Sequence, residues 1–299
     1  MFWCKKKFFP LVSMETMLQK AQAGKYAIAQ ININNLEWIN AALSAAQEAK
    51  TPIILGVSSG AGKYMHGFKN VVDMVKNTII NKKVTIPVAL HLDHGSFEAC
   101  QECLRVGFSS VMFDGSKLPI NDNINQTKII LSLAKKYGAS VEAEVGAIGG
   151  SEDGLTSNGE LASVDDCATL VKQTNICCLA AGIGNIHGVY PTNWKGLNLK
   201  QLEKIKQATK NIPLVLHGGT GIPSDQIKQA ISLGVCKINV NTECQLAFAN
   251  AVRKYIDAKK DLDIKKKGFD PRKLLAPGVE AIKQVCFEKF KMFGSFNKA

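Results

Sequence analysis

No window of the sequence comes near the roughly 18 consecutive apolar residues that a membrane helix needs, so no membrane span is expected. The opening "MFWCKKKFFPLVSM" has aromatic residues on both sides of its lysines. It lacks an uninterrupted apolar stretch of about 7 to 15 residues and a following cleavage pattern, so it does not read as a secretory signal. The lone C-x-x-C at Cys100 and Cys103 has no second pair at zinc-finger spacing. It falls at a helix start, where buried or surface thiols are the simpler reading. The nine cysteines are odd in number and irregularly spaced, which speaks against a disulfide framework and fits a reducing cytoplasm. No low-complexity linker divides the chain, and no RNA-binding aromatic motif accompanies its basic runs.

What the chain does have is a basic surplus: 37 Lys+Arg against 25 Asp+Glu, a net charge of +12. That surplus suits nucleic acid, an anionic membrane surface or a phosphorylated small molecule. Much of it lies in "KKK" at 5–7 and between Arg253 and Lys298, including "KKDLDIKKK". These runs read as solvated surface, and nucleic acid is not expected as a partner. An apolar fraction of 46% with 21% charged residues describes a soluble globular chain.

Eight short apolar or β-branched runs recur, at 27–32, 52–58, 87–93, 110–115, 140–146, 177–184, 213–219 and 236–242. Segments with helical periodicity separate them, among them 36–50, 123–138, 164–175, 199–210 and 223–234. Strands alternating with helices imply a parallel sheet covered by helices, and eight units imply a (β/α)8 TIM barrel. An open doubly wound sheet gives the same alternation but offers no reason for polar residues to gather at the ends of many strands. From Lys254 onward, additional C-terminal helices should pack outside the barrel or on a partner. The expected organisation is one domain over 11–299, with residues 1–10 an extension of unknown role.

The sequence holds five histidines. His94, His187 and His217 end or closely follow the third, sixth and seventh runs, and each precedes a glycine. Any one alone reads as a hydrogen-bonded histidine near the core. Together they converge on the C-terminal face of a barrel, where three imidazoles with an open fourth position are the donor set of a catalytic zinc. His91 lies on the same side of its strand as Asp93 with its role open, and His66 reads as structural. Asp93 adjoins His94, close enough to meet a substrate held there. Glu142 and Glu144 alternate along the fifth run and so both point inward, Glu144 nearer the top; buried carboxylates need a partner or a cation. Glu152 follows in "GAIGGSEDG", a loop with enough glycine to move as a lid. "HGGTG" at 217–221 and "NVNT" at 239–242 place backbone N–H groups and small polar side chains where barrels often hold a phosphate.

These stretches resemble the class II, metal-dependent fructose-bisphosphate aldolases, in their shorter bacterial branch. The similarity runs from about Leu11 to the C-terminus through "LVSM", "GVSSGAGKYM", "VALHLDHGSFEAC", "VEAEVGAIGGSEDG", "GNIHGVYP", "PLVLHGGTGIP", "KINVNTE" and "DPRKLL", in family order. It implies reversible cleavage of fructose 1,6-bisphosphate to dihydroxyacetone phosphate and glyceraldehyde 3-phosphate. It further implies that His94, His187 and His217 bind catalytic Zn2+, with Glu144 an alternative ligand. Asp93 matches the residue that exchanges the C4 hydroxyl proton, and Glu152 the one that handles the C3 proton of dihydroxyacetone phosphate. Gly188, Gly218, Gly219, Thr220, Asn239, Asn241 and Thr242 match positions around dihydroxyacetone phosphate, with a monovalent cation (Na+ or K+) nearby. Asn32 and Ser58 match further substrate contacts. Arg272 matches an arginine that reaches the other phosphate from a neighbouring subunit, so a homodimer or homotetramer is implied.

The chain departs from the family at Pro191, where a lysine is common and Lys195 could substitute, and at Thr220, where serine is common. The turn after "HLDHG" is one residue shorter than in some relatives. A tagatose 1,6-bisphosphate aldolase is the near alternative, although "NVNT", rather than "NVAT", leans toward fructose. A Schiff-base aldolase would need an inward strand lysine, of which Lys237 is the single candidate. A non-catalytic basic binding protein would be expected to show damage to the histidine triad or to Asp93, and there is none.

Overall fold

The computed structural model of the chain describes residues 11–152 and 155–299, so the expected extension at 1–10 lies outside the described residues. Among the described residues, eight parallel strands close into a barrel: β1 (Ile28–Asn32), β2 (Ile53–Val57), β3 (Val88–Gly95), β4 (Ser110–Phe113), β5 (Ser140–Val145), β6 (Cys178–Ala181), β7 (Leu214–Leu216) and β8 (Val235–Val240). Neighbours in sequence are neighbours in the barrel, and β1 closes the ring on β8 with Ile28 opposite Lys237 and Gln30 opposite Asn239. The expected (β/α)8 architecture is the observed one.

Period-two alternation explains what each strand does with its side chains. Outward residues such as Ile31, Leu55, Leu90 and Val111 are buried against the surrounding helices. Inward residues near the strand starts, Ile28, Ile54, Ala89, Met112 and Val215, meet the helix Met14–Ala23, whose Met14 and Leu18 plug the bottom of the barrel. Fully burying side chains of this size stabilises by about 1.5–3 kcal/mol each. The Met14 amide also donates to Ser140 Oγ at 2.9 Å. With the bottom filled by hydrocarbon, the polar inward residues occupy the middle and top.

Most strands end earlier than their apolar runs, although β3 extends past its run to Gly95. β6 stops at Ala181, and the glycines that follow turn the chain into a loop whose Ile186–His187 segment pairs with Gly149–Glu152. That segment in turn pairs antiparallel with Leu155–Ser157, forming a small sheet after β5. The tail packs outside the barrel: the helix Ala276–Met292 lies against the helices Thr242–Asp257 and Leu36–Glu48. Gly278 permits that approach, since a Cβ there would lie 2.3 Å from Phe248 Cδ2.

Candidate active site

Adjacent residues on a regular strand face opposite sides, so Asp93 and His94 could not both enter the barrel mouth. β3 resolves the conflict with a register shift between Leu92 and Gly95, where His94 takes φ of 48°. A non-glycine residue in the left-handed region costs of order 1–3 kcal/mol and persists where its surroundings hold it. The kink brings the His94 ring to His217, with Nε2 3.0 Å from Nδ1, and edge-on to His187 with ring centroids 4.9 Å apart. The nitrogens of His94, His187 and His217 that face one another all lie within 4.8 Å.

Hydrogen bonding identifies which nitrogens are donors. His217 Nε2 lies 2.9 Å from Glu142 Oε1, and His94 Nδ1 lies 3.3 Å from Asp114 Oδ2. A carboxylate accepts, so each of these nitrogens carries the proton. What remains is His94 Nε2 facing His217 Nδ1 at 3.0 Å; with both rings neutral their lone pairs meet, an arrangement that a cation between them relieves. Three neutral imidazole nitrogens are a donor set suited to a zinc-like ion. Burial holds His187 down to about 3, with His94 and His217 adding to the effect, and burial also lowers His217. These two rings are neutral at ordinary pH, the form in which an imidazole ligates a metal.

A second group, His94, Asp114 and Glu144, also brings its ligand atoms within 4.8 Å. Glu144 is buried, and its Oε2 has no hydrogen-bond partner. Burial raises its carboxyl to about 8, with His94 opposing. A buried carboxylate oxygen beside an imidazole and a second carboxylate suits a cation, so the residues present fit a metal that can be held by either group.

Asp93 is 1% exposed and receives three amide donors. Gln30 Nε2 and Asn32 Nδ2 donate to Oδ2 at 2.9 Å each, and Asn239 Nδ2 donates to Oδ1 at 3.2 Å. Burial pushes its carboxyl upward, but its neighbours His94, His217 and Lys237 outweigh burial and hold it below the usual carboxylate range. Asp93 is therefore an ionised acceptor aimed into the cavity.

That cavity, about 180 Å3, brings Asn32, Asp93 and His187 together with Gly188, Gly218 and Thr220, and with Asn239, Asn241 and Thr242 on the other wall. A neighbouring lobe of about 300 Å3 is lined by Ser58, His94, Ser96, Asp114, Lys117 and Glu144, among others. Gly218 has φ of 66°, and a Cβ there would lie 2.0 Å from Ile186 O, so glycine lets the β6 and β7 loops touch. Gly219 serves differently from a phosphate donor: its N–H is committed to Asn239 O at 2.8 Å. Thr220 Oγ1 accepts from Glu243 N at 3.3 Å, while Asn241 Oδ1 is buried without a partner. Glu152 ends the strand Gly149–Glu152, and its side chain lies outside the described residues. Arg272 is outside the lining of both lobes, 88% exposed and bonded to Asp270.

Several residues of the site were not singled out by sequence reasoning. Asp114 holds the His94 ring, and the signal available was its place at the end of the fourth strand. Asn185 Nδ2 donates to His217 O at 3.1 Å, and Tyr190 Oη donates to Gly218 O at 2.8 Å while accepting from Ile186 N at 3.1 Å. Lys237, the Schiff-base candidate, is buried and ion-paired with Glu142 at 2.9 Å. His91, whose role was open, lies below the cavity with Nδ1 2.8 Å from Ser110 Oγ.

The family profile described as "Fructose-bisphosphate aldolase class-II" matches residues 12–298. The chain is 57% identical over 289 residues to the fructose-bisphosphate aldolase of Mycoplasma genitalium, covering 97% of this chain and all of that one. It is 50% identical over 292 residues to that of Streptococcus pneumoniae, covering 97% and 99%. Among solved structures, the fructose-bisphosphate aldolase of Campylobacter jejuni superposes with a TM-score of 0.84 at 26% identity over 97% of each chain. The YdjI aldolase of Escherichia coli K12 gives 0.79 at 31% identity over 97% and 99%.

Proposed function

Since the chain belongs to the class II fructose-bisphosphate aldolases, we propose that it cleaves fructose 1,6-bisphosphate reversibly to dihydroxyacetone phosphate and glyceraldehyde 3-phosphate. The observation that carries this reading is the meeting of His94, His187 and His217 beside the ionised, buried Asp93. His94, His187 and His217 would hold a divalent ion, Zn2+ by donor type, with Glu144 as its alternative ligand. Bound there, the ion supplies Lewis-acid stabilisation of the negative charge that breaking the C3–C4 bond leaves on the substrate.

The protein's own groups do the rest. Asp93 takes the proton of the C4 hydroxyl as the bond breaks and returns it in the condensation direction. Gln30, Asn32 and Asn239 hold its carboxylate in place through the bonds described above. Glu152 is the group assigned to the C3 proton of dihydroxyacetone phosphate. The phosphate of that half is assigned to Gly188, Gly218, Gly219, Thr220, Asn239, Asn241 and Thr242, where Gly219 contributes shape rather than its committed N–H. The unpartnered Asn241 Oδ1 needs a donor or a cation and suits a substrate hydroxyl or the Na+ or K+ proposed nearby. Asn32 and Ser58 contact the sugar, and Arg272 reaches the second phosphate from a neighbouring subunit of a homodimer or homotetramer. Two phosphates on the substrate make the +12 charge intelligible, and eight described thiols, all free, suit the reducing cytoplasm.

The test is the cleavage rate of fructose 1,6-bisphosphate before and after chelation, with zinc restored and with tagatose 1,6-bisphosphate in parallel. Activity lost to the chelator, regained with zinc and higher on fructose is the expected outcome. Activity indifferent to the chelator overturns the metal reading, and preference for tagatose overturns the substrate.

A further inference from the structure

Beneath the three histidines, the interior of the barrel holds a chain of buried polar groups. Lys237 is at its centre, on β8, with no solvent exposure. Its Nζ lies 2.9 Å from Glu142 Oε2 and donates to Asn239 Oδ1 at 2.9 Å. An ammonium only donates, which settles two orientations at once. Asn239 must present its oxygen to Lys237 and therefore its NH2 to the other side, where Nδ2 meets His217 Nδ1 at 3.1 Å and Asp93 Oδ1 at 3.2 Å. Glu142 must be ionised to pair with the lysine, and its other oxygen accepts from His217 Nε2 at 2.9 Å. Both routes from Lys237 reach His217 from opposite edges of its ring and agree: Nε2 carries the proton, and Nδ1 carries the single lone pair, which Asn239 Nδ2 approaches at 3.1 Å and which a bound ion would take in its place.

We infer that Lys237 is a positioning residue that fixes the tautomer and orientation of His217 through Glu142 and Asn239, so that a metal finds this ligand already prepared. This rests on the metal reading given above. A buried Lys–Glu pair is a poor way to gain stability, because desolvating two ions offsets much of their attraction. Outer carboxylates that orient metal-bound histidines contribute about 10–100-fold to metal affinity or activity when tested by mutation. In this barrel the ammonium of Lys237 lies 2.9 Å from Oε2 of that carboxylate and fixes its placement, so the lysine belongs to the same device. It also makes Lys237 a poor nucleophile, because its Nζ is engaged by Glu142 and Asn239.

The experiment compares wild type, Lys237→Met, Glu142→Gln and the double variant as full-length protein. Zinc affinity is measured by competition with a chromophoric chelator, the d–d absorption is recorded after cobalt substitution, and thermal unfolding checks the fold. Lys237→Met and Glu142→Gln are each expected to lower zinc affinity by about 10–100-fold and to alter the cobalt band. The double variant should lose no more than the worse single one, because the two act as one unit. The double variant removes both members of the buried pair at once, so it keeps a folded protein available if Lys237→Met unfolds by leaving Glu142 charged and alone. Folded variants that bind zinc like the wild type, with an unchanged cobalt spectrum, overturn the inference even if their melting temperatures fall. A wild type that cleaves the substrate without binding zinc overturns the metal reading itself, and the two failures are distinct.

Discussion

At the scale of the residue, the site is governed by donors and acceptors that have to match inside a low-dielectric barrel. Asp93 receives three amide donors and no water-exposed contact. Asp93→Asn removes the proton acceptor and turns one amide NH2 against three others. We expect kcat to fall by about 10²–10⁴-fold, the range for loss of a general base, while zinc content is kept because no ligand changes. Steady-state kinetics with metal analysis checks this, and an unchanged kcat removes Asp93 from proton transfer. The sequence displayed Asp93 and the three histidines by their place at strand ends. It could not display the pairings, since Glu142 and Lys237 are 95 positions apart and Asp114, at the end of the fourth run, lies 20 positions from His94.

At the scale of the element, two irregularities build the site. The kink in β3 turns His94 to the face of Asp93, which regular alternation forbids. The glycine turn after β7 lets Gly218 sit against Ile186, so that the His187 and His217 rings come within 5.9 Å of each other, centroid to centroid. Gly218→Ala places a Cβ at 2.0 Å from Ile186 O and in the left-handed region. It should destabilise the protein by about 1–3 kcal/mol and lower bound zinc as the β6 and β7 loops separate. Urea unfolding with metal analysis reads both, and full zinc content in the variant would show that loop contact does not set the triad. The eight strands were legible because period-two burial and short apolar runs are local signals. Their ends were overextended at 182–184 and 217–219, because an apolar run does not reveal where barrel pairing stops. The small sheet joining Gly149–Glu152 to Ile186–His187 was not legible at all, for it pairs segments that are far apart in the chain.

At the scale of the whole molecule, the outer face near the C-terminal basic run carries Leu246, Ile256, Leu262, Ile264 and Phe269, all at least 46% exposed, close in sequence to the exposed Arg272. A monomer leaves this arginine outside the cavity it is assigned to, so the assignment requires a second copy. Arg272→Ala should lower kcat/KM by about 10–100-fold, the worth of one charge-assisted hydrogen bond. Mixing it with Asp93→Asn protein should regain activity, because a mixed dimer combines an intact Asp93 with an intact Arg272 from the other chain. Absence of regain after subunit exchange, verified by native mass spectrometry, would place Arg272 outside the neighbouring site.

The sequence by itself determined the architecture and the chemical inventory. Strand and helix periodicities, and residue types at strand ends, are properties of short segments and survive without knowledge of contacts. Only the tertiary structure decided how that inventory is wired: which nitrogens of His94 and His217 face carboxylates, which carboxylate is paired and which is orphaned, and that Lys237 is buried against Glu142 and Asn239 rather than open to a substrate. Those are relations between side chains from different strands, and closing the barrel is what brings them within hydrogen-bonding distance.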